Sequence, residues 1–187
     1  MGSYISIGLV LKADETDFIT KCKCIIEKYC NITSVILKYP IDDSYDKWVE
    51  SVVDTNDIYR ILYKCYKNES AECIIDYTAI KSYHIKGMIV KITHLVNKNT
   101  GILFEIPEVN FDKISLDQLE NAVYSILVYS LRIGFSYAFC DNECSIEYSL
   151  EEIFKYNIPY SILIYNCEGN ICSRYAKWKI DGLSSRL

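Results

Sequence analysis

Negative charge gathers in one short part of this chain. Asp141-Asn142-Glu143-Cys144-Ser145-Ile146-Glu147 is followed closely by Glu151 and Glu152, with Tyr137, Tyr148 and Tyr156 interleaved. Clustered carboxylates accept charge-assisted hydrogen bonds from Lys and Arg, and tyrosine supplies contact area at small cost in rotamer entropy. The combination suits a face that docks a cationic macromolecule. Asp141, Glu143, Glu147, Glu151 and Glu152 would be its acceptors, and Tyr137, Tyr148 and Tyr156 its aromatic anchors. The competing explanation is a solvated loop followed by helix-start acids that merely suit the macrodipole. The loop lacks the regular oxygen spacing of an EF-hand, so no calcium site is expected there.

Other chemistries find less to work with. Cys140-x3-Cys144 and Cys167-x4-Cys172 loosely imitate zinc knuckles, but neither has the usual two-residue spacing. Cys22 and Cys24 fall inside a helical pattern, where residues two apart diverge. The nine cysteines, odd in number and irregular in spacing, therefore read as scattered reduced thiols, with no metal expected. His94 shares an alternating face with Met88, Val90 and Ile92 and reads as half-buried. No Cys–His pair is singled out as a nucleophile. The seven glycines never cluster, so neither a P-loop nor a dinucleotide fingerprint is present, and no cofactor is expected. The zinc-protease helix and the serine nucleophile elbow are missing too. A catalytic role is not expected from these residues.

Charge distribution points the same way. From Glu105 to Glu152 there are ten acids against two bases, Lys113 and Arg132, a formal −8, whereas the whole chain is −5. A sequence pI near 5.1 argues against a nucleic-acid binder, which would carry a basic stripe. Half of the 187 residues are hydrophobic and 24% are charged, so the chain can build a core and is not a disordered tail. The first residues lack a basic n-region and a small-residue cleavage site. No uncharged apolar run reaches about 18 residues. A cytoplasmic protein without a membrane span is the expectation.

The elements that must position the acidic stretch can be read from periodicity. Tyr4 to Leu11 alternates as a strand, Phe18 to Tyr29 repeats at helical spacing, and Ser34 to Tyr39 is a strand stopped by Pro40, a βαβ-like opening. Trp48, Val49, Val52 and Val53 fit a helical face, so Asp42 to Val53 is expected to be a short helix. Asp54 and Thr55 would cap the next helix, which carries Ile58, Ile61, Leu62 and Cys65. Strands follow at Cys73–Tyr77 and Met88–Val96, then a turn at Asn97–Gly101 and a strand at Ile102–Ile106. Ser115 with Gln118 forms a capping box, and Ile114 with Leu119 a hydrophobic staple, for a long helix ending at Gly134. Ser149 with Glu152, and Tyr148 with Ile153, repeat both signals. Phe135–Cys140 and Tyr160–Tyr165 are strands, and a turn at Glu168-Gly169-Asn170 leads to a last strand bearing Tyr175, Trp178 and Ile180. Residues 1–187 thus read as one α+β domain, a largely antiparallel sheet with helices packed against it.

Three strings resemble a known group: Met1-Gly2-Ser3-Tyr4-Ile5-Ser6-Ile7-Gly8, Gly134-Phe135-Ser136-Tyr137-Ala138-Phe139-Cys140-Asp141 and Trp178-Lys179-Ile180-Asp181-Gly182. They are similar to the ends and centre of small bacterial immunity proteins encoded beside polymorphic toxins, in particular the immunity protein 64 family. The resemblance implies an α+β protein that binds and neutralises one cognate toxin by stoichiometric occlusion. It transfers no catalytic residue, and the site residues above rest on charge alone. The expected partner is then a cognate protein toxin, a basic nuclease being the natural fit for an acidic face. Two other classes stay open: a small enzyme with a non-motif active site, and a phage-type protein that sequesters a nucleotide signal through Lys81, Lys86 and Lys91.

Overall fold

The computed structural model describes residues 4–12, 14–40, 47–54, 57–68, 70–80, 83–95, 99–111 and 116–176. The strands are β1 (Tyr4–Leu11), β2 (Ser34–Pro40), β3 (Trp48–Val53), β4 (Glu72–Ile80), β5 (Tyr83–His94), β6 (Thr100–Pro107), β7 (Tyr137–Asn142), β8 (Ile162–Cys167) and β9 (Asn170–Tyr175). The helices are α1 (Glu15–Tyr29), α2 (Ile58–Lys67), α3 (Leu116–Arg132) and α4 (Leu150–Lys155), with a 3-10 turn at Glu108–Phe111.

All nine strands join one sheet in the order β3-β2-β4-β5-β6-β1-β7-β8-β9, and every ladder is antiparallel. It follows that β1 and β2 run in the same direction with three strands between them. The expected β1-α1-β2 opening is therefore present as a split unit. β3-α2-β4 and β6-α3-β7 are likewise split, each by a single strand. Such connections need a helix to carry the chain back across one face, and α1, α2 and α3 do so together.

That face holds the main core. Ile5, Ile7, Leu9 and Leu11 of β1 meet Phe18, Cys22, Ile25 and Ile26 of α1, Ile61, Leu62 and Cys65 of α2, and Val123, Ile126 and Leu127 of α3. α1 begins where the Asp14 carboxylate accepts the Asp17 N–H at 2.9 Å. α3 ends in a Schellman motif: Gly134 N–H reaches the Leu131 carbonyl and Phe135 N–H the Ser130 carbonyl. Gly134, at φ 104°, supplies the left-handed residue.

The alternate residues of the central strands build a second, smaller core on the other face. Val10, Leu103, Tyr137, Phe139 and Leu163 lie beneath Ile146, Ile153 and Tyr160. Two glycines make room for it. A Cβ on Gly8 would lie 2.2 Å from the Phe139 ring, and one on Gly101 would lie 2.6 Å from Cδ1 of Ile146.

Two local expectations are corrected. Residues 48–53 form strand β3 and not a helix: Val49, Ser51 and Val53 are half-buried while Trp48, Glu50 and Val52 are exposed. Alternation decides, because β3 pairs with β2 at the sheet edge and only one of its faces meets the helices. The N-cap of α2 is Asp57, whose carboxylate accepts the Arg60 N–H at 3.3 Å; Asp54 precedes it and Thr55 lies outside the described residues. The Ser115–Gln118 box, the Ile114–Leu119 staple, the turn residues Asn97 and Lys98, and Trp178 and Ile180 involve residues outside those described. Among the described residues no helix is long and apolar enough to cross a membrane.

Gly8→Ala places a methyl group inside a ring that is stacked and fully buried. Overpacking of this kind costs about 1–3 kcal/mol, so the urea midpoint of the variant is expected to fall accordingly. An unchanged midpoint would show that the ring can move aside.

Candidate acidic cleft on the second face

One lateral row of residues runs across seven strands on the second face. Successive registers connect Val52, Ile36, Ile74, Ile89, Glu105, Ser6 and Asp141. The row is apolar at the β3 edge and becomes acidic where it reaches β7. At that end the 143–160 segment folds back over the sheet, and an open cleft of about 510 Å³ lies beneath it. Asp141, Glu143, Glu147, Tyr148, Pro159 and Tyr160 are among its lining residues.

The acidic loop is held in place by its backbone and by one apolar side chain. Glu143 N–H donates to the Tyr4 carbonyl at 2.9 Å, and Cys144 N–H to the buried Ser6 hydroxyl at 3.1 Å. Ile146, the loop's lone aliphatic residue, is 4% exposed and fills the space over Gly101 and Val10. Burying such a side chain contributes about 1.5–3 kcal/mol. With Ile146 pointing inward, Ser145 and Glu147 are turned to solvent, and the Ser145 hydroxyl donates to the Glu147 carboxylate. Glu143 takes φ 47°, a left-handed conformation that lets the chain leave β7 sharply.

A buried aromatic stack lies behind the cleft, and Tyr160 is the member of it that lines the opening. Phe139 and Tyr160 stack at 4.2 Å between centroids with planes 17° apart, and Tyr137 lies beyond Phe139 at 6.5 Å. The Tyr160 hydroxyl is pushed up by burial and then by the neighbouring Cys144, so it stays protonated.

The eight sequence-derived site residues divide into distinct roles. Asp141, Glu143, Glu147 and Tyr148 converge on the cleft. Asp141 is 5% exposed and accepts hydrogen bonds from the Ser161 hydroxyl at 2.9 Å and the Asn142 N–H at 2.8 Å. Glu143 and Glu147 are exposed, and among the described residues neither forms an ion pair with Lys or Arg. Glu151 faces a neighbouring cleft of about 400 Å³ that Lys12, Ser149 and Tyr137 also line. Tyr137 is 1% exposed and its hydroxyl donates to the Tyr148 carbonyl, so it supports the loop and offers no docking surface. Tyr156 is exposed beyond the end of α4 with the Lys155 ammonium 5.0 Å from its ring centroid. Glu152 closes the capping box, accepting the N–H and hydroxyl of Ser149 at 2.8 Å each.

Sequence reasoning missed Ile146 as the anchor and Ile158, Pro159 and Tyr160 as the far wall. The anchor had a signal, one aliphatic residue in a polar loop; the wall comes from a later segment and had none. The wider acidic span does not all contribute. Glu105 shares the row with Asp141 but is bound to Lys91 at 2.9 Å, and Lys91 also reaches Glu72 at 3.2 Å. That engagement takes Lys91 out of the basic pocket a nucleotide binder would need; Lys81 lies outside the described residues.

The buried reactive groups are quiet. Burial holds the thiols of Cys22, Cys73 and Cys140 well above their ordinary value, and pushes Cys30 and Cys65 up to about 12. His94 is half-buried between the Tyr66 carbonyl, 2.8 Å from Nε2, and the Thr100 hydroxyl, 3.1 Å from Nδ1. Among the described residues no three His, Cys, Asp or Glu side chains gather as a metal site would require. Cys140 and Cys144 belong to opposite faces of the sheet. Neither a protein-family model, nor a curated protein, nor a solved structure matches the chain.

The hydrogen bonds from Ser149 hold the Glu152 carboxyl below its ordinary value. A carboxylate depressed by folding contributes stability above its unfolded pKa and loses it as the pH falls through the folded value. Glu152→Gln should therefore lower the unfolding midpoint near neutral pH. The gap to the parent protein should close as both are taken into acid through the carboxylate range. A gap that does not change with pH would show that the charge is irrelevant to the cap.

Proposed function

We propose that this protein is an immunity protein that neutralises a cognate, basic protein toxin by covering its working surface. The observation that carries the reading is the acidic cleft. Two exposed carboxylates, Glu143 and Glu147, lack a cationic partner among the described residues and share the cleft with Tyr160, which stacks on Phe139. Carboxylates without internal partners keep their field for an incoming cation, and those already paired do not. The three strings that resemble the immunity protein 64 family point to the same class of partner.

In this mechanism the cleft recognises a Lys- or Arg-bearing projection of the toxin. Against a nuclease, the carboxylates would occupy the place of substrate phosphates. Glu143 and Glu147 would steer the encounter and fix orientation, while burial of Tyr148, Pro159 and neighbouring apolar area would supply most of the affinity. No bond is made or broken. Inhibition would be stoichiometric and would follow occupancy.

The test takes the product of the gene adjacent to this protein's own as the candidate toxin. With Glu143→Lys and Glu147→Lys combined, the association rate at low salt should fall about tenfold or more, and its dependence on ionic strength should flatten. Glu151→Lys, in the neighbouring cleft, should have a smaller effect. Unchanged association kinetics in the double variant, or an adjacent gene product that does not bind, would overturn the reading.

A further inference from the structure

The β8–β9 hairpin carries two thiols that the acidic cleft does not use. Glu168 and Gly169 both take positive φ, 50° and 83°, as a tight two-residue turn of this handedness requires. The register pairs Cys167 with Asn170 and Tyr165 with Cys172, so Cys167 and Cys172 are diagonal neighbours on one face of the hairpin. Cys167 is exposed and Cys172 partly so, in contrast to the buried Cys22, Cys65, Cys73 and Cys140. The sulfurs also sense each other. Cys172 is pushed up by loss of solvent and then by the neighbouring Cys167.

We propose that Cys167 and Cys172 are a redox-sensitive dithiol that closes to a reversible disulfide when it meets a low-molecular-weight disulfide. In the first step the Cys167 thiolate attacks one sulfur of the small disulfide and expels the other half as a thiolate. In the second, Cys172 loses its proton and attacks Sγ of Cys167, expelling the remaining half. The two protein thiols give up two electrons and two protons, and the small disulfide is reduced to two thiols. A diagonal pair must draw together by about an ångström or two to reach disulfide geometry. β9 is the last strand of the described sheet, held on one side only, and has that freedom.

The bond would reach the cleft indirectly. Two residues beyond Cys172, the Arg174 guanidinium donates to the Ile158 carbonyl, and Ile158 belongs to the cleft's far wall. Tying β9 to β8 tethers that wall. The dithiol itself does not depend on what the cleft binds.

One tryptic peptide, Tyr156–Arg174, contains both cysteines and no other. The native full-length protein is exposed to oxidised glutathione, alkylated with iodoacetamide and digested. The expected product is this peptide without alkyl groups, two hydrogens lighter than the dithiol, accepting two alkyl groups only after reduction. Cys24, an exposed thiol of α1, serves as the internal comparison and should never appear linked to either. In Cys172→Ser, a mixed glutathione disulfide should persist at Cys167. A doubly alkylated peptide, a stable glutathione adduct on the unsubstituted protein, or a link to Cys24 or Cys144 would each refute the proposal.

Discussion

The second face of the sheet depends on a ring lying where a side chain is missing. Gly8 stands directly opposite Phe139 in the β1–β7 ladder, and the Phe139 ring folds over the bare glycine backbone. From there the stack continues to Tyr160, which lines the cleft. On the neighbouring strand Gly101 leaves the same kind of vacancy for Ile146, and with it the acidic loop is drawn down onto the sheet. Two glycines on adjacent strands thus decide how closely the covering segment approaches. They also decide where its carboxylates end up.

The two faces are covered unequally, which separates stability from recognition. α1, α2 and α3 pack across one face and bury most of the large aliphatic side chains. On the other face, among the described residues, the 143–160 segment covers the β6-β1-β7-β8 half. The β3-β2-β4-β5 half carries ion pairs on that face. Lys38 pairs with Glu50, and Lys91 lies between Glu72 and Glu105, so charge flanks the row of Ile36, Ile74 and Ile89. Ion pairs beside aliphatic residues discourage unwanted sheet contacts. Such pairs also neutralise themselves, whereas Glu143 and Glu147 form no ion pair among the described residues.

Much of this was legible from the chain because it is local. The Ser149–Glu152 box, the Gly134 terminus and the hairpin across 168–169 are set by residues within five positions of each other. The convergence of Asp141, Glu143, Glu147 and Tyr148 was legible for the same reason: they come from one contiguous stretch. β3 is ambiguous in the sequence because Trp48, Val49, Val52 and Val53 satisfy a helical period as well as a β one, and an edge strand lacks the uniform burial that would separate them. Tyr137 reads as a contact residue from its place beside the acidic loop, but strand parity turns it inward. It shares a face with Phe139 and Asp141, and once that face is covered it must be buried. The wall at 158–160 depends on how α4 returns the chain, a tertiary outcome that no local pattern announces.

Hydrogen–deuterium exchange, with and without the purified product of the gene adjacent to this protein's own, tests the central claim most directly. Binding in the acidic cleft should slow exchange at residues 141–149 and 157–160 and leave β2, β3 and β4 unchanged. Slowed exchange confined to β2, β3 and β4, with the 143–160 segment as free as before, would mean that the partner docks at the β3 end of the sheet and that the carboxylates are bystanders.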